Sequence, residues 1–434
     1  MEIEEIIKIL ETRNIFITGG GGVGKSYTIA ELNKELPLVL TASTGMAAIN
    51  IGGQTIHSWA GVGICEKPID AVVGFITKTK MGKNKYNEIL NCEYLVIDEI
   101  SMLNAYTFDY ISKVLSEVRG VNEPFGGIRL IVVGDMYQLP PVKLGDTVEI
   151  NNAERVIDYC FNSKTWKDLK FKTINLTKVY RQNDEKFITA LNHVRVGEIT
   201  TEDKKLFEGR NFPYSFEPPK EAIKIYAVNQ QVDAENQKRF NEINEKAYTF
   251  KATNQIRCWV DGAMQWVSPT SSKVPPMDKR KYENFDRDCR IPDVLTLKKG
   301  CRVMLLVNKD FDRGLVNGSC GYVTELSQYR IVVTFDNGEE VQITEETTEL
   351  KEGKKAKITR DQYPLRLAWA SSVHRSQGAT YDSCFVDCSR FFETGQAYVA
   401  LSRARSLDKL YLKNFDADKI LVDNKVKKFY EGLK

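Results

Sequence analysis

Short, almost continuously apolar runs alternate with amphipathic stretches through the first third of the chain: NIFIT (14–18), PLVLTAS (37–43), EYLVIDE (93–99) and IRLIVVGD (128–135). Strands of that kind are buried on both faces, which predicts a parallel sheet covered by helices. Between Gly61 and Tyr86 the pattern loosens and carries Lys78, Lys80, Lys83 and Lys85, as a small insertion would. A second α/β block is predicted from Lys172, with TINL (173–176) and AIKIYAVN (222–229) as strands and a helix from about Gln231 to Lys246. Residues 250–295 read as irregular and polar, and the runs GCRVMLLVN, GYVTEL and YRIVVTFDNGEEVQIT read as short strands after them. The Asp336-Asn337-Gly338 turn signal predicts a hairpin there, within a small β-barrel. The α/β pattern resumes at PLRLAWASSVHRSQG and closes with KLYLKNF.

A chain of 434 residues exceeds the roughly 250 to 300 at which a single core stops growing, so two large domains are expected. The apolar fraction of 42% and charged fraction of 27% are those of a globular protein, and no apolar run is long enough to span a bilayer. Together with an acidic start lacking signal-peptide features, this predicts an intracellular protein without a membrane partner. Nine cysteines lie scattered from Cys65 to Cys388 with only three histidines, and without the clustered spacing of a zinc site they read as reduced thiols. A net charge of +3 gives no bulk argument for nucleic-acid binding, so any such function must show in local motifs.

The strand NIFIT runs directly into GGGGVGKS (19–26) and then a helix, the context that gives a G-x-x-x-x-G-K-S match its meaning. Gly19, Gly20, Gly21, Gly22, Val23 and Gly24 would turn backbone N–H groups toward phosphate oxygens. Lys25 would reach the β- and γ-phosphates, Ser26 would hold Mg²⁺, and Tyr27 follows in the same turn. At the end of EYLVIDE, Asp98 is placed to bind the same Mg²⁺, and Glu99 to orient and deprotonate an attacking water. IVVGDMYQLPPV (131–142) supplies Asp135 and Gln138, whose amide can sense a γ-phosphate. Arg181 in LTKVYRQND, and Arg403 and Arg405 in GQAYVALSRARS, offer planar donors for transition-state phosphate oxygens; taken bare, each is more often a surface salt-bridge partner. In TASTGMAAINIGGQTIHSWAG (41–61), hydroxyls can bond a nucleic-acid backbone and Trp59 can stack on a base. On residue types alone, a buried tryptophan and a capping His57 are the simpler reading.

Taken in order, these segments, with PFGGIRL (124–130), GLVNGSCGYV, VHRSQGATYD and QAYVALSRARS, closely resemble the petite-integration-frequency (Pif) DNA helicases, in the RecD-like branch of helicase superfamily one. The resemblance covers nearly the whole chain. It implies an α/β fold of two RecA-like P-loop parallel-sheet domains, a small wedge insert and a small Src-homology-like β-barrel insert. The expected boundaries are 1–171 for the first domain with the wedge near 62–86, 172–250 and 361–434 for the second, and 251–360 for the barrel. The implied activity is ATP-dependent, Mg²⁺-dependent translocation from 5′ to 3′ on single-stranded DNA, with unwinding of tailed duplexes and of G-quadruplex DNA, by a monomer. DNA repair, recombination and telomere maintenance are the processes attached to it. By position, Arg181 and Arg403 become arginine fingers from the second domain, and Gln138 the phosphate sensor. Thr41, Thr44, His57, Trp59, Ser372 and His374 become contacts to DNA, and Gln377 and Gly378 couple the strand to the nucleotide.

Two departures matter. Glu2 stands where the family has a glutamine that reads adenine; a carboxylate accepts from the adenine amino group but cannot donate to the ring, which leaves selectivity for ATP open. The chain lacks the long extensions of eukaryotic members, so a minimal bacterial or virus-encoded motor is expected. Three other readings compete: a nucleotide-dependent clamp, a subunit of a recombination nuclease, and an RNA helicase. The Asp98-Glu99 pair and the finger arginines argue against the clamp, since a passive binder needs no hydrolytic machinery.

Overall fold

A computed structural model describes residues 2–433, apart from 151–152, 290, 308, 311–312, 314, 316–317 and 353–354. Parts of GLVNGSCGYV therefore lie outside the described residues. The chain divides into two compact units, residues 1–200 with 393–399 and 419–434, and residues 201–392 with 400–418.

The first unit is built on six parallel strands: β1 (Ile15–Thr18), β2 (Leu38–Ala42), β3 (Gln54–Thr55), β4 (Tyr94–Asp98), β5 (Arg129–Val133) and β6 (Lys172–Asn175). Their order across the sheet is β3-β2-β4-β5-β1-β6. Strand periodicity explains the continuous apolar runs. Ile15, Ile17, Val96, Ile131 and Val133 face one core with Ile6 and Leu10 of α1 (Ile3–Leu10) and Ile29 and Leu32 of α2 (Lys25–Glu35). Phe16, Leu95, Ile97, Leu130 and Val132 face the other core, filled by Phe108, Phe125, Trp59 and Trp166.

The stretch after Gly61, expected to be irregular, is two helices, α3 (Ile69–Lys78) and α4 (Lys83–Leu90). Val72, Ile76 and Ile89 pack them into the core shared with α5 (Ala105–Arg119). The PFGG segment closes the end of α5: Phe125 has φ 55°, lies fully buried 5.0 Å from the Phe108 ring, and its N–H donates to Ser112 Oγ at 3.0 Å. Arg119 Nε donates to Gly126 O at 2.7 Å from the last turn of that helix.

Two boundaries differ from expectation. The strand at Lys172, expected to open the second domain, pairs in parallel with β1 through Ile15↔Lys172 to Thr18↔Asn175 and buries Ile174 in the first core. The helix α6 (Glu185–Val196) and the C-terminal helix Asn424–Glu431 also belong to the first unit, the latter burying Val426 and packing Phe429 on Phe161. Apolar burial decides this: β1 would otherwise present a bare edge, and Phe16 would lack part of its cover.

The second unit carries β7 (Ile223–Tyr226), β8 (Ala370–Ser372), β9 (Cys384–Asp387) and β10 (Leu410–Lys413), parallel and ordered β8-β7-β9-β10, with α7 (Asn229–Glu242) after β7. Between β7 and β8, among the described residues, run an antiparallel pair, Tyr248–Lys251 with Val294–Leu297, and two larger antiparallel sheets. One joins Ala263–Val267, Thr253–Val260, Lys355–Gln362 and Glu346–Glu352. The other joins Glu340–Ile343, Ile331–Phe335, Cys320–Leu326, Arg302–Leu305 and Leu365–Leu367. The predicted hairpin is present, Phe335 leading through Gly338 at φ 89° into Glu340. The polar stretch read as irregular contains a 13-residue helix, α8 (Pro276–Asp288), whose Phe285 covers Ile256 and Ile358. Pro276 is tolerated because its missing N–H falls in the first turn.

Candidate functional site

The loop after β1 folds as a cradle because glycine permits two close approaches. Gly19 has φ 142° and a side chain there would sit 2.3 Å from Leu176 O; one at Gly22, φ 79°, would sit 2.5 Å from Arg181 Cβ. The loop ends at Gly24, the N-cap of α2, so the helix N-terminus and its free N–H groups point where Lys25 begins. Lys25 Nζ donates to Gly19 O and Gly20 O, both at 2.9 Å. Burial drives the Lys25 pKa down, opposed by the charges of Asp135, Glu99 and Asp98.

Asp98 ends β4 almost fully buried, its Oδ1 accepting the Glu99 N–H at 2.8 Å. Burial, and next the Glu99 charge, push its carboxyl up to about 7. Among the described residues no group of three or more His, Cys, Asp or Glu could hold a metal ion unaided. A Mg²⁺ ion would therefore lean on Asp98, Ser26 and substrate oxygens, which is the usual way this ion is held. Glu99 is left-handed at φ 50° and ψ 44°, a conformation disfavoured for a non-glycine residue and concentrated at active sites. Its carbonyl accepts the Ser43 hydroxyl at 2.7 Å.

Asp135, at the end of β5, is fully buried. Burial raises its pKa, but Arg195 reverses this and holds it below the usual carboxylate range. The Arg195 guanidinium grips both oxygens, Nε to Oδ2 at 2.9 Å and Nη2 to Oδ1 at 2.8 Å. Gln138 is buried as well and its Nε2 donates to Asp135 Oδ2 at 3.3 Å. Sequence reasoning missed Arg195, and also Tyr398, whose hydroxyl accepts the Gly21 N–H at 2.6 Å. No local pattern marks either; their partners lie 60 and 377 residues away.

The other expected residues are distributed over both units. Arg181 was expected from the second domain but lies in the first unit, because β6 delivers its loop against the cradle, where Tyr180 N donates to Gly22 O at 2.8 Å. Trp59 is 2% exposed among core side chains, so it cannot stack on a base in this conformation. Thr41 is 0% exposed and its hydroxyl donates to Val96 O at 2.5 Å, which takes it away from a strand contact. Ser372 is buried and its Oγ accepts the Arg375 N–H at 3.3 Å, capping a turn. Thr44 and His57 are half-buried: Thr44 Oγ1 accepts the Ala47 N–H at 3.2 Å, and burial holds the His57 imidazole below its ordinary pKa. In the second unit His374 and Gln377 are half-buried and Gly378 is exposed at φ 78°. Arg403 is 1% exposed, donating to Ser376 O at 3.2 Å, Ala379 O at 3.0 Å and Ser402 Oγ at 2.8 Å. Arg405 is exposed and paired with Asp382 at 2.8 Å.

Comparison with known proteins agrees with this geometry. Residues 1–205 match the model of the PIF1-like helicases, and residues 283–326 that of the 2B domain of DNA helicase Pif1. The ATP-dependent DNA helicase PIF1 of Homo sapiens is 36% identical over 98% of this chain, which spans 62% of that protein's length. The ATP-dependent DNA helicase Pif1 of Bdellovibrio bacteriovorus is 32% identical over 97% of this chain and 89% of its own. A crystal structure of Bacteroides Pif1 with ADP-AlF3 and single-stranded DNA is similar with a TM-score of 0.64 and 28% identity, covering 99% of this chain and 96% of that one. These findings overturn the expectation of a bacterial or viral source: the human relative is as similar as the bacterial one, so the likeness gives that origin no preference.

Proposed function

Because the chain belongs to the Pif1 family of DNA helicases, we propose that it is an ATP-driven DNA helicase that moves 5′ to 3′ along single-stranded DNA and separates the strand paired to it. The observation that carries this reading is the gathering of Lys25, Asp98, Glu99 and the Asp135-Gln138 pair around one glycine cradle in the first unit. The cradle N–H groups and Lys25 would bind the triphosphate, with Lys25 exchanging two carbonyl oxygens for phosphate oxygens as it does so. Mg²⁺, where bound, would neutralise charge developing between the β- and γ-phosphates. Glu99 would align and deprotonate the attacking water, and Gln138 would register the γ-phosphate. Arg181, on the loop beside Gly22, and Arg403 would supply guanidinium to the transition state.

Single-stranded and tailed duplex DNA are the proposed partners, with G-quadruplex DNA as a further substrate and a monomer as the working form. His57, Thr44 and His374 are the remaining candidates for contacts to the strand, and Gln377 and Gly378 for coupling the strand to the nucleotide. Steady-state ATP hydrolysis with and without single-stranded DNA tests the reading: strong stimulation is expected, and equal rates would overturn it. Arg403→Ala should keep nucleotide binding while lowering turnover by roughly a thousand-fold, the worth of a lost arginine finger.

A further inference from the structure

One hydroxyl, from the C-terminal helix, joins the strand end that opens the glycine cradle to the strand end that carries Asp135 and Gln138. Tyr430 lies in the C-terminal helix Asn424–Glu431, and its phenolic oxygen is 2.7 Å from Thr18 Oγ1, the last residue before the glycine cradle. The same oxygen accepts the Met136 N–H at 3.1 Å and lies 3.4 Å from Asp135 Oδ1, two and three residues before Gln138. A phenol has one donor and two acceptor sites, so this oxygen can serve both strand ends at once. Its ring stacks on Tyr137 at 4.8 Å with 7° between planes, and the Arg195 guanidinium lies 4.8 Å from the Tyr137 centroid and 5.5 Å from that of Tyr430. Arg195 in turn fixes both oxygens of Asp135, and Asp135 fixes the Gln138 amide.

We infer that Tyr430 is a positioning residue for hydrolysis: its hydroxyl sets the distance between the cradle that holds the phosphates and the Asp135-Gln138 segment that reads them. The physical case rests on where the bonds end. A tyrosine that only anchored its helix would need the ring stack and a bond to any nearby group. This one bonds the termini of β1 and β5, neighbours in the sheet whose exits diverge into two functional loops. Nothing else in the C-terminal helix reaches those loops by a side-chain hydrogen bond among the described contacts; Phe429 packs on Phe161, Phe16 and Trp166.

The inference rests on the proposed nucleotide hydrolysis, and the test separates the two. Steady-state ATPase on single-stranded DNA is measured for the full chain, for Tyr430→Phe, for Thr18→Val and for the double variant, with thermal melting of each. Tyr430→Phe keeps the ring stack and removes the hydroxyl. The expected result is a fall of about five- to ten-fold in kcat for each single variant, the scale of one lost hydrogen bond, with KM for ATP within about two-fold. Because both substitutions break the same bond, the double variant should fall no further than the worse single. Unchanged kcat in Tyr430→Phe, losses that multiply in the double variant, or losses that track only a lowered melting temperature would each overturn the positioning role. A wild-type chain without DNA-stimulated hydrolysis would sink the functional reading instead.

Discussion

The exits of β1 and β2 look alike on paper, each with a threonine in the last two residues of the strand and a glycine-bearing turn beyond it, yet their side chains settle differently. Beyond β1 the chain makes a cradle whose Lys25 bonds two carbonyls, and the ends of β4 and β5 add Asp98, on the Glu99 N–H, and Asp135, on Arg195. Beyond β2 the same residue types turn inward, Thr41 onto Val96 O, the Thr55 hydroxyl accepting the Ser58 N–H at 3.2 Å, and Trp59 into the apolar core. A buried charge is tolerated only where it is paired, so the cradle and the neighbouring ends of β4 and β5 gather ionisable groups while the exit of β2 supplies packing. Four substitutions test that contrast.

The largest effect belongs to the first exit. Lys25→Ala should remove DNA-stimulated ATP hydrolysis beyond the roughly 10²- to 10³-fold that one transition-state donor is worth, with the melting temperature little changed. Turnover near wild type would place the phosphates elsewhere. Next, Asp135→Asn leaves the Arg195 guanidinium buried without its counter-charge, and chemical denaturation should show about 3 to 5 kcal/mol lost. A loss under about 1 kcal/mol would mean that Arg195 finds another partner or reaches water.

The second exit responds through stability alone. Trp59→Ala should cost about 3 to 5 kcal/mol by opening a cavity among Ile56, Ile76 and neighbouring core side chains, while the fraction still folded binds single-stranded DNA as well as wild type. Weaker DNA binding with unchanged melting would reverse the assignment and return Trp59 to the strand. Thr41→Val is the smallest change. It leaves Val96 O without the hydroxyl donor and should cost about 1 to 3 kcal/mol at most, with DNA affinity unaltered.

The same contrast separates what could be read from the residues from what could not. The cradle was legible because its meaning is local: glycines, lysine and serine at fixed spacing between a strand and a helix. Asp98 and Glu99 followed from it, as did the parallel sheet, whose continuous apolar runs need cover on both faces. The side-chain direction of Thr41 and Trp59 was not legible, since a hydroxyl and an indole serve core and ligand equally well until their neighbours are known. Lys172 looked like the start of a new domain because a strand carries no mark of which edge it will join. The polar stretch at 250–295 read as irregular although Pro275 and Pro276 open a helix within it. Arg195, Tyr398 and Tyr430 reach the site across 60, 377 and 412 residues, and no spacing rule spans such distances.

The central claim, that the chain spends nucleotide to move in one direction along DNA, is tested most directly by strand displacement on two fluorescently marked duplexes. They are identical but for a 5′ or a 3′ single-stranded tail, and each is tried with ATP and Mg²⁺ and with Glu99→Gln as the hydrolysis-deficient control. The account predicts opening of the 5′-tailed duplex by the wild-type chain and of neither duplex by Glu99→Gln. Opening of the 3′-tailed duplex alone, or equal opening by Glu99→Gln, would contradict it.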